Sequence, residues 1–464
     1  MEELRRALRA LAAGKTGGID DIPPEFWKAL SASEEACGEL LIFFQRCWGE
    51  KDIPAEWHTS VVALLHKKGD TSLPENYRPI SLLSIGYKLL AWMLQKRIQN
   101  GGAENRIRST QYGFRPGRST AQAIGIARRM FEAAETCQSP GLVAVLLDWS
   151  KAFDRIKHDT LLDALRRFGI PTDMLNMIAA IYRYRSFVLR DPVVNSSQRP
   201  QAAGIAQGCP LSPYLFIIVQ SVMFYDVDNR MAGLHAAVRE PDYLACSDLL
   251  YADDTMLLSS DSGKLQTLLN TVIDEGARYG LDLNLDKTVC MRVHNTGALR
   301  SPTGAPLKIV EQAVYLGGLL NVKCSAKPEV TRRIGEAKSL FKSLSQCWSH
   351  ANICRARKIQ LYKAIVLPKL LYNLETVWSL QADRARLDSF HVQCLRSILR
   401  IPSAYVSRIS NNEVLERAQE PPLSETLRDR QMNLYRKIAA LPEDNLLKFL
   451  TCEPGTGLPR RWAH

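Results

Sequence analysis

Leu249-Leu250-Tyr251-Ala252-Asp253-Asp254-Thr255-Met256-Leu257-Leu258 decides the reading of this chain. Two apolar half-strands flank a short polar turn, so the stretch predicts a β-hairpin with Asp253 and Asp254 at its tip. An Asp-Asp pair on its own is more often a polar turn than a site. Here both carboxylates sit beside wholly apolar segments, where they repel each other and resist burial, and a divalent cation is the simplest remedy.

Far upstream, Leu142–Leu147 is a continuous apolar run of strand length, as expected for a strand covered on both faces, and it ends directly on Asp148. Carboxylates at the ends of rigid neighbouring strands suit two-metal nucleotidyl transfer. In that chemistry two divalent cations roughly 3.5–4 Å apart stabilise the attacking and leaving oxygens together. Magnesium, a hard ion, takes carboxylate and phosphate oxygens.

Around these two strands the sequence alternates short strands and helices. Val61–Leu65 predicts a strand running into the basic turn His66-Lys67-Lys68-Gly69-Asp70, and Ile85–Ile98 a helix. Ile156, Leu161, Leu162, Leu165 and Phe168 mark one helix face closed by Gly169 and Pro171. Tyr214–Val219 with Val222–Tyr225 reads as a buried helix, too short to span a bilayer. Leu265–Tyr279 predicts a helix, and Thr288–Val293 and Ala313–Leu320 one strand each. Before residue 55, Leu4, Leu8 and Leu11 recur at helical spacing, Gly14 to Gly18 breaks the pattern, and Pro23-Pro24 starts a helix through Trp27 and Leu30. Beyond about Glu329 the pattern is helical: Ile334–Leu344, Arg355–Leu367 and Leu387–Leu399.

The 464 residues carry 60 Lys and Arg against 48 Asp and Glu. From Thr331 to His464 there are 22 against 12, so a surplus of 10 out of the net +12 lies in the helical last part. A basic surface concentrated there suits a polyanionic partner through counterion release, though a generic solvated surface fits equally well. Eleven cysteines without framework spacing point to a reducing compartment. Cys347, His350 and Cys354 have spacing that suits one helix face, but no second ligand pair follows at zinc-site distance, so packing is the favoured reading.

Several ordered boxes resemble the reverse transcriptase of non-LTR (LINE-type) retrotransposons. Leu147-Asp148-Trp149-Ser150-Lys151-Ala152-Phe153-Asp154 resembles that family's motif A, Ala203–Pro213 motif B, and Tyr251-Ala252-Asp253-Asp254 motif C. Gly280-Leu281 with Asn284, Lys287 and Thr288 is similar to motif D, and Tyr315-Leu316-Gly317-Gly318 to motif E. Asn76–Ser84 and Gln111–Thr120 look like the finger motifs. Any one box is weak; seven in the family's order are a strong signal.

The resemblance implies an α/β (α+β) polymerase right hand. It would comprise an N-terminal helical extension (1–55), fingers (56–140 with part of 171–205), a palm with an antiparallel sheet and motifs A to E (141–322), a basic helical thumb (323–405) and a C-terminal helical linker (406–464). It implies an RNA-directed DNA polymerase that uses two Mg²⁺ ions, with Mn²⁺ as substitute, and whose partners are an RNA template, a DNA primer and dNTPs. No membrane partner is expected, and the location is intracellular, nuclear or cytoplasmic.

Residue by residue, the resemblance gives Asp148, Asp253 and Asp254 the metals. Phe153 matches the steric gate under the incoming sugar, Gln207 and Gly208 the loop beside the incoming nucleotide, and Arg78 with Lys67 or Lys68 the triphosphate-holding finger residues. Lys287 matches the lysine that protonates pyrophosphate. Arg115, Tyr251, Gly317 and Gly318 match template and primer contacts, the two glycines being the primer grip. Asp154 reads as a structural hydrogen-bonder, a helix cap.

Ala206 departs from the family's usual basic residue, and Asp20-Asp21 replaces the usual Asp-Gly. Only about 55 residues precede the finger motifs, so no endonuclease domain is expected in this chain. A partial element, a truncated gene model, or a polymerase dependent on a separate endonuclease activity all fit. An RNA polymerase would need a polar residue where Phe153 stands. A group II intron maturase and a catalytically inactive or domesticated nucleic-acid-binding remnant are the remaining alternatives.

Overall fold

The computed structural model describes residues 1–460 except 68, 191–194, 235–238, 351 and 456–457. The expectation for Lys68 therefore lies outside the described residues. In chain order the strands are β1 (Thr59–His66), β2 (Tyr77–Leu82), β3 (Leu142–Leu147), β4 (Ser186–Leu189), β5 (Arg199–Pro200) and β6 (Asp248–Tyr251). They continue with β7 (Asp254–Ser259), β8 (Val289–Val293), β9 (Lys308–Ile309), β10 (Gln312–Tyr315) and β11 (Gly318–Asn321). By internal packing the chain divides into two units, each gathered from three stretches. One is Met1–Gly117, Asp148–Ala237 and Thr267–Lys287; the other is Arg118–Leu147, Val238–Gln266 and Thr288–His464.

In the first unit the sheet runs β2-β1-β4-β5, with β1 antiparallel to β2 and parallel to β4. The buried end of β1 holds Val61 and Val62, while its far end, Leu64 to His66, is exposed. Helix Ser212–Met231 has every residue from Tyr214 to Phe224 buried, as its apolar run predicted, and Tyr225 breaks the run by facing solvent. Each fully buried Leu, Ile or Phe there contributes roughly 1.5–3 kcal/mol. Helix His158–Phe168 ends at Gly169, whose φ of +87° makes the left-handed cap; Ile156 lies before the helix and not on its face. Asp21, standing where glycine was the expected letter, still adopts φ +49°, so the left-handed turn survives the substitution. Helix Glu34–Glu50 carried no clear pattern in the sequence; its cap, Ser33 accepting from the Ala36 amide, is a local signal that marks its start.

In the second unit the sheet runs β6-β7-β3-β8-β9. β3 lies antiparallel between β7 and β8, and all six of its residues are buried. Polar side chains would find no partners there, which is why its sequence is an unbroken apolar run. The expected single strand over Ala313–Leu320 is instead the hairpin β10–β11. The chain reverses at Leu316 and Gly317, which both have positive φ (+49° and +73°), so this pair makes a turn and Gly318 opens the returning strand.

Beyond it, helices Lys327–Ser343, Arg355–Leu371, Gln381–Leu399, Asn411–Ala418 and Leu423–Ala439 share a core including Val330, Tyr362, Val366, Leu370, Leu387, Leu395 and Val414. Cys347, His350 and Cys354 do not share a helix face. Helix Ser345–Ser349 stops at His350 and the next begins after Cys354. Among the described residues no helix is long and apolar enough to cross a membrane. Mixed helices and largely antiparallel sheets agree with the fold class expected from the sequence.

Candidate active site

The acidic hairpin forms as the sequence predicted. Tyr251 pairs with Asp254 and leaves Ala252-Asp253 as a two-residue loop. Ala252 has φ +54°, the conformation for which such turns normally recruit glycine. For an L residue this costs about 1–2 kcal/mol, and Ala252 is nonetheless buried. Asp253 is half-buried and Asp254 exposed. The β3–β7 register sets Thr255 opposite Leu147, so β7 leaves the acidic tip beside the last residue of β3. Burial, then Tyr372 and Asp254, push the Tyr251 phenol above its ordinary range.

Asp148 begins a segment stitched to the residues before Lys287. The Asn284 amide donates to the Asp148 carbonyl at 2.7 Å, the Ser150 amide donates to the Asp282 carbonyl at 2.8 Å, and Trp149 bridges Leu283. This pairing brings the Lys287 Nζ to 3.2 Å from Asp148 Oδ2. The lysine ammonium thus partly neutralises the Asp148 carboxylate. Among the described residues no three His, Cys, Asp or Glu side chains are gathered closely enough to hold a metal. The donor chemistry nevertheless fits: carboxylate oxygens without thiolate or imidazole suit a hard divalent ion.

The loop Ala203–Cys209 is fastened on two sides. The Gly204 and Ile205 amides donate to the carbonyls of Ile156 and Phe153, both at 2.7 Å. The Ser81 amide of β2 donates to the Gln207 carbonyl at 2.7 Å. Gly208, at φ +122°, passes so close to β2 that a Cβ would lie 2.5 Å from the Ser81 carbonyl oxygen. The Gln207 side chain donates to Asp154 at 3.2 Å. Asp154 is therefore a hydrogen-bonder, as read, but not a helix cap; Lys151 holds the cap position of helix Ala152–Arg155. Burial raises the Asp154 carboxyl, against the lowering effects of Gln207, Lys151 and Lys67. Phe153 is half-buried, stacked on Phe216 with ring centroids 4.5 Å apart and edge-on to Phe114 at 6.2 Å. Its plane is fixed by these two rings.

Lys67 and Arg78 are exposed at the loop end of the β1–β2 hairpin, where the Lys67 amide donates to the Asn76 carbonyl. Arg115 is different. Its guanidinium pairs with Glu104 and also donates to the carbonyls of Glu104, Arg108 and Gln111. It builds its own turn.

Gly317 sits in the β10–β11 turn and Gly318 at the start of β11, in the same unit as the acidic hairpin. The sequence reading missed what surrounds them. Arg332 and Arg333 both donate to the Gly317 carbonyl, Glu329 accepts the Leu319 amide, and the Tyr372 hydroxyl donates to the Leu316 carbonyl. From helix Thr120–Cys137, buried Arg128 donates to the carbonyls of Leu319 and Asn373, and burial lowers its pKa to about 10. The i, i+3 and i+4 spacing of Glu329, Arg332, Arg333 and Glu336 was a visible signal of a charged helix face; its target was not.

A family model described as reverse transcriptase (RNA-dependent DNA polymerase) matches residues 65–320, more than half of the chain. The chain belongs to the reverse transcriptase family. Such polymerases generally use divalent metal ions. Relatives are transposon proteins. A probable RNA-directed DNA polymerase from transposon BS of Drosophila melanogaster is 28% identical over 424 residues, covering 87% of this chain and 45% of that protein. A Pol polyprotein from a type-1 retrotransposable element R2 of Popillia japonica is 27% identical over 336 residues, covering 70% of this chain and 45% of its own length. This reverse transcriptase chain thus spans less than half the length of these relatives. Among solved structures, telomerase from Candida albicans in complex with a telomeric RNA fragment overlaps it with a TM-score of 0.42 at 12% identity, over 86% of this chain and 69% of that one. That likeness is too distant to bear on function.

Proposed function

We propose that this chain is the RNA-directed DNA polymerase of a non-LTR retrotransposon, transferring a deoxynucleotide from a dNTP to a primer 3′-hydroxyl on an RNA or DNA template. The observation that carries this reading is the strand register: Leu147, the last residue of β3, lies opposite Thr255 of β7, the strand that leaves the Asp253-Asp254 tip.

Asp148, Asp253 and Asp254 would hold two Mg²⁺ ions, with Mn²⁺ as a substitute. When bound, those ions would stabilise the attacking and leaving oxygens. The 3′-oxygen attacks the α-phosphorus as the bond to pyrophosphate breaks. Lys287, released from Asp148, delivers a proton to the departing pyrophosphate. Lys67 and Arg78, exposed on their hairpin, pair with the triphosphate. Phe153, clamped between Phe114 and Phe216, lies under the sugar and leaves no room for a 2′-hydroxyl. Gln207 and Gly208 line the nucleotide with backbone, and Tyr251, Gly317 and Gly318 hold the primer terminus. Arg115 serves the template side indirectly, through the turn that it builds.

The test is primer extension on poly(rA)/oligo(dT) with magnesium, comparing wild type with Asp253→Ala. Incorporation of dTTP that is lost in the variant supports the reading; incorporation no greater than the variant's rejects it and leaves a binding remnant. Phe153→Val separates reverse transcriptase from RNA polymerase: it should admit ribonucleotides that the wild type refuses.

A further inference from the structure

The turn at Leu316-Gly317 is held more firmly than chain reversal requires. Both residues have positive φ, and a leucine there costs about 1–2 kcal/mol, where Asn-Gly would do the same job without strain. Strained backbone persists only when its surroundings over-determine it. Here they do. The Leu316 carbonyl accepts from Tyr372 Oη at 3.2 Å and Asn373 Nδ2 at 3.4 Å. The Gly317 carbonyl accepts from Arg332 Nη2 at 2.8 Å and from Arg333. Arg128 takes the Leu319 carbonyl at 3.3 Å.

Glu329 stands behind both arginines. Its side chain is 2% exposed and accepts Arg332 Nε and Nη2, Arg333 Nε (each at 2.9 Å) and the Leu319 amide at 3.2 Å. With these donors its two oxygens are satisfied, and it fixes the angle at which each guanidinium meets the turn. Arg333 is further held over the Tyr372 ring at 4.8 Å. A side-chain change at residue 329 therefore reaches the Gly317 carbonyl through one intervening group.

We infer that Glu329 is a positioning residue for the primer: through Arg332 and Arg333 it sets the Leu316–Gly317 tip against which the primer 3′ end is held. The inference rests on the polymerase reading above. Its experiment uses the full chain with Glu329→Gln, Arg333→Lys and, as control, Glu420→Gln. The control removes another little-exposed carboxylate paired with Lys363 in the same unit, away from the turn.

For Glu329→Gln and Arg333→Lys, KM for poly(rA)/oligo(dT) should rise about tenfold while KM for dTTP at saturating primer stays within twofold. Amide exchange at 314–320 should quicken while that of β3 and β7 is unchanged. Glu420→Gln should leave primer KM alone whatever it does to the melting temperature. A primer KM within twofold of wild type in an active Glu329→Gln enzyme overturns this inference and spares the polymerase reading. So does a rise matched by Glu420→Gln, which makes the carboxylate merely structural. A wild type that incorporates nothing overturns both.

Discussion

Replacing Gly208 by alanine puts a methyl group 2.5 Å from the Ser81 carbonyl oxygen. Carbon and oxygen settle at roughly 3.3 Å, so loop and strand must part by roughly 0.8 Å. The backbone at φ +122° is also one that only glycine adopts freely, and such a residue costs about 1–3 kcal/mol. Parting the segments strains the Ser81–Gln207 hydrogen bond as well, worth about 1 kcal/mol. The total is about 2–4 kcal/mol. If the loop keeps its place, the protein loses that much stability. If it moves to relieve the strain, Gln207 moves with it, and kcat/KM for the nucleotide should fall roughly 30- to 1000-fold. Urea unfolding and steady-state dTTP incorporation on the same preparation read both halves. An alanine variant within threefold of wild type in kcat/KM and within about 0.5 kcal/mol in stability would refute the reasoning, because the penalty must appear in one measurement or the other.

Ala252→Gly relieves the left-handed strain at the acidic hairpin but loosens the unfolded chain, so a net gain of about 0.5–1 kcal/mol is expected in the same unfolding assay; a loss would mean that the buried methyl matters more than the strain. Burial would raise the Glu240 carboxyl, yet hydrogen bonds from Ser259, Ser260 and Lys264 outweigh it and hold it below the ordinary glutamate range. Because the folded pKa is the lower one, the contribution of Glu240 is full above the unfolded value of about 4.3 and fades as pH falls through the folded value. The stability gap between wild type and Glu240→Gln should therefore narrow from pH 5 to pH 3, and a gap that widens there contradicts the assignment. Lys287→Ala frees Asp148 from its ammonium partner, so half-saturating magnesium should fall while turnover drops about 10²-fold; unchanged turnover would exclude the proton-donor role.

The strands bearing Asp148 and the Asp253-Asp254 pair were legible because burial on both faces leaves an unmistakable apolar run, and because two adjacent carboxylates between such runs call for a counter-charge to hold them there. Gly317-Gly318 was read as part of a strand, since its neighbours Ala313, Val314, Leu319 and Leu320 are as apolar as a strand's interior; the positive φ of Leu316 and Gly317, which the flanking letters do not announce, divides them. Phe216 was legible only as core, though its ring fixes the plane of Phe153. The grip around the turn was beyond reach, because Arg128 meets Leu319 across 191 residues and no local period links them. Arg115 was read as a template or primer contact from its motif alone, whereas the fold surrounds it with carbonyls.

The central position of β3 has a consequence for synthesis. Leu-Val-Ala-Val-Leu-Leu is uncharged, free of proline and glycine and apolar throughout, which is the profile of an adhesive segment. Both of its hydrogen-bonding neighbours, β7 and β8, are encoded more than a hundred residues later. At ribosomal speed the strand waits roughly 7 to 30 s from its own completion to that of β8. During that interval its two edges are open to any other nascent copy, so yield should depend on how crowded the polysome is and on whether a chaperone reaches residues 142–147 first.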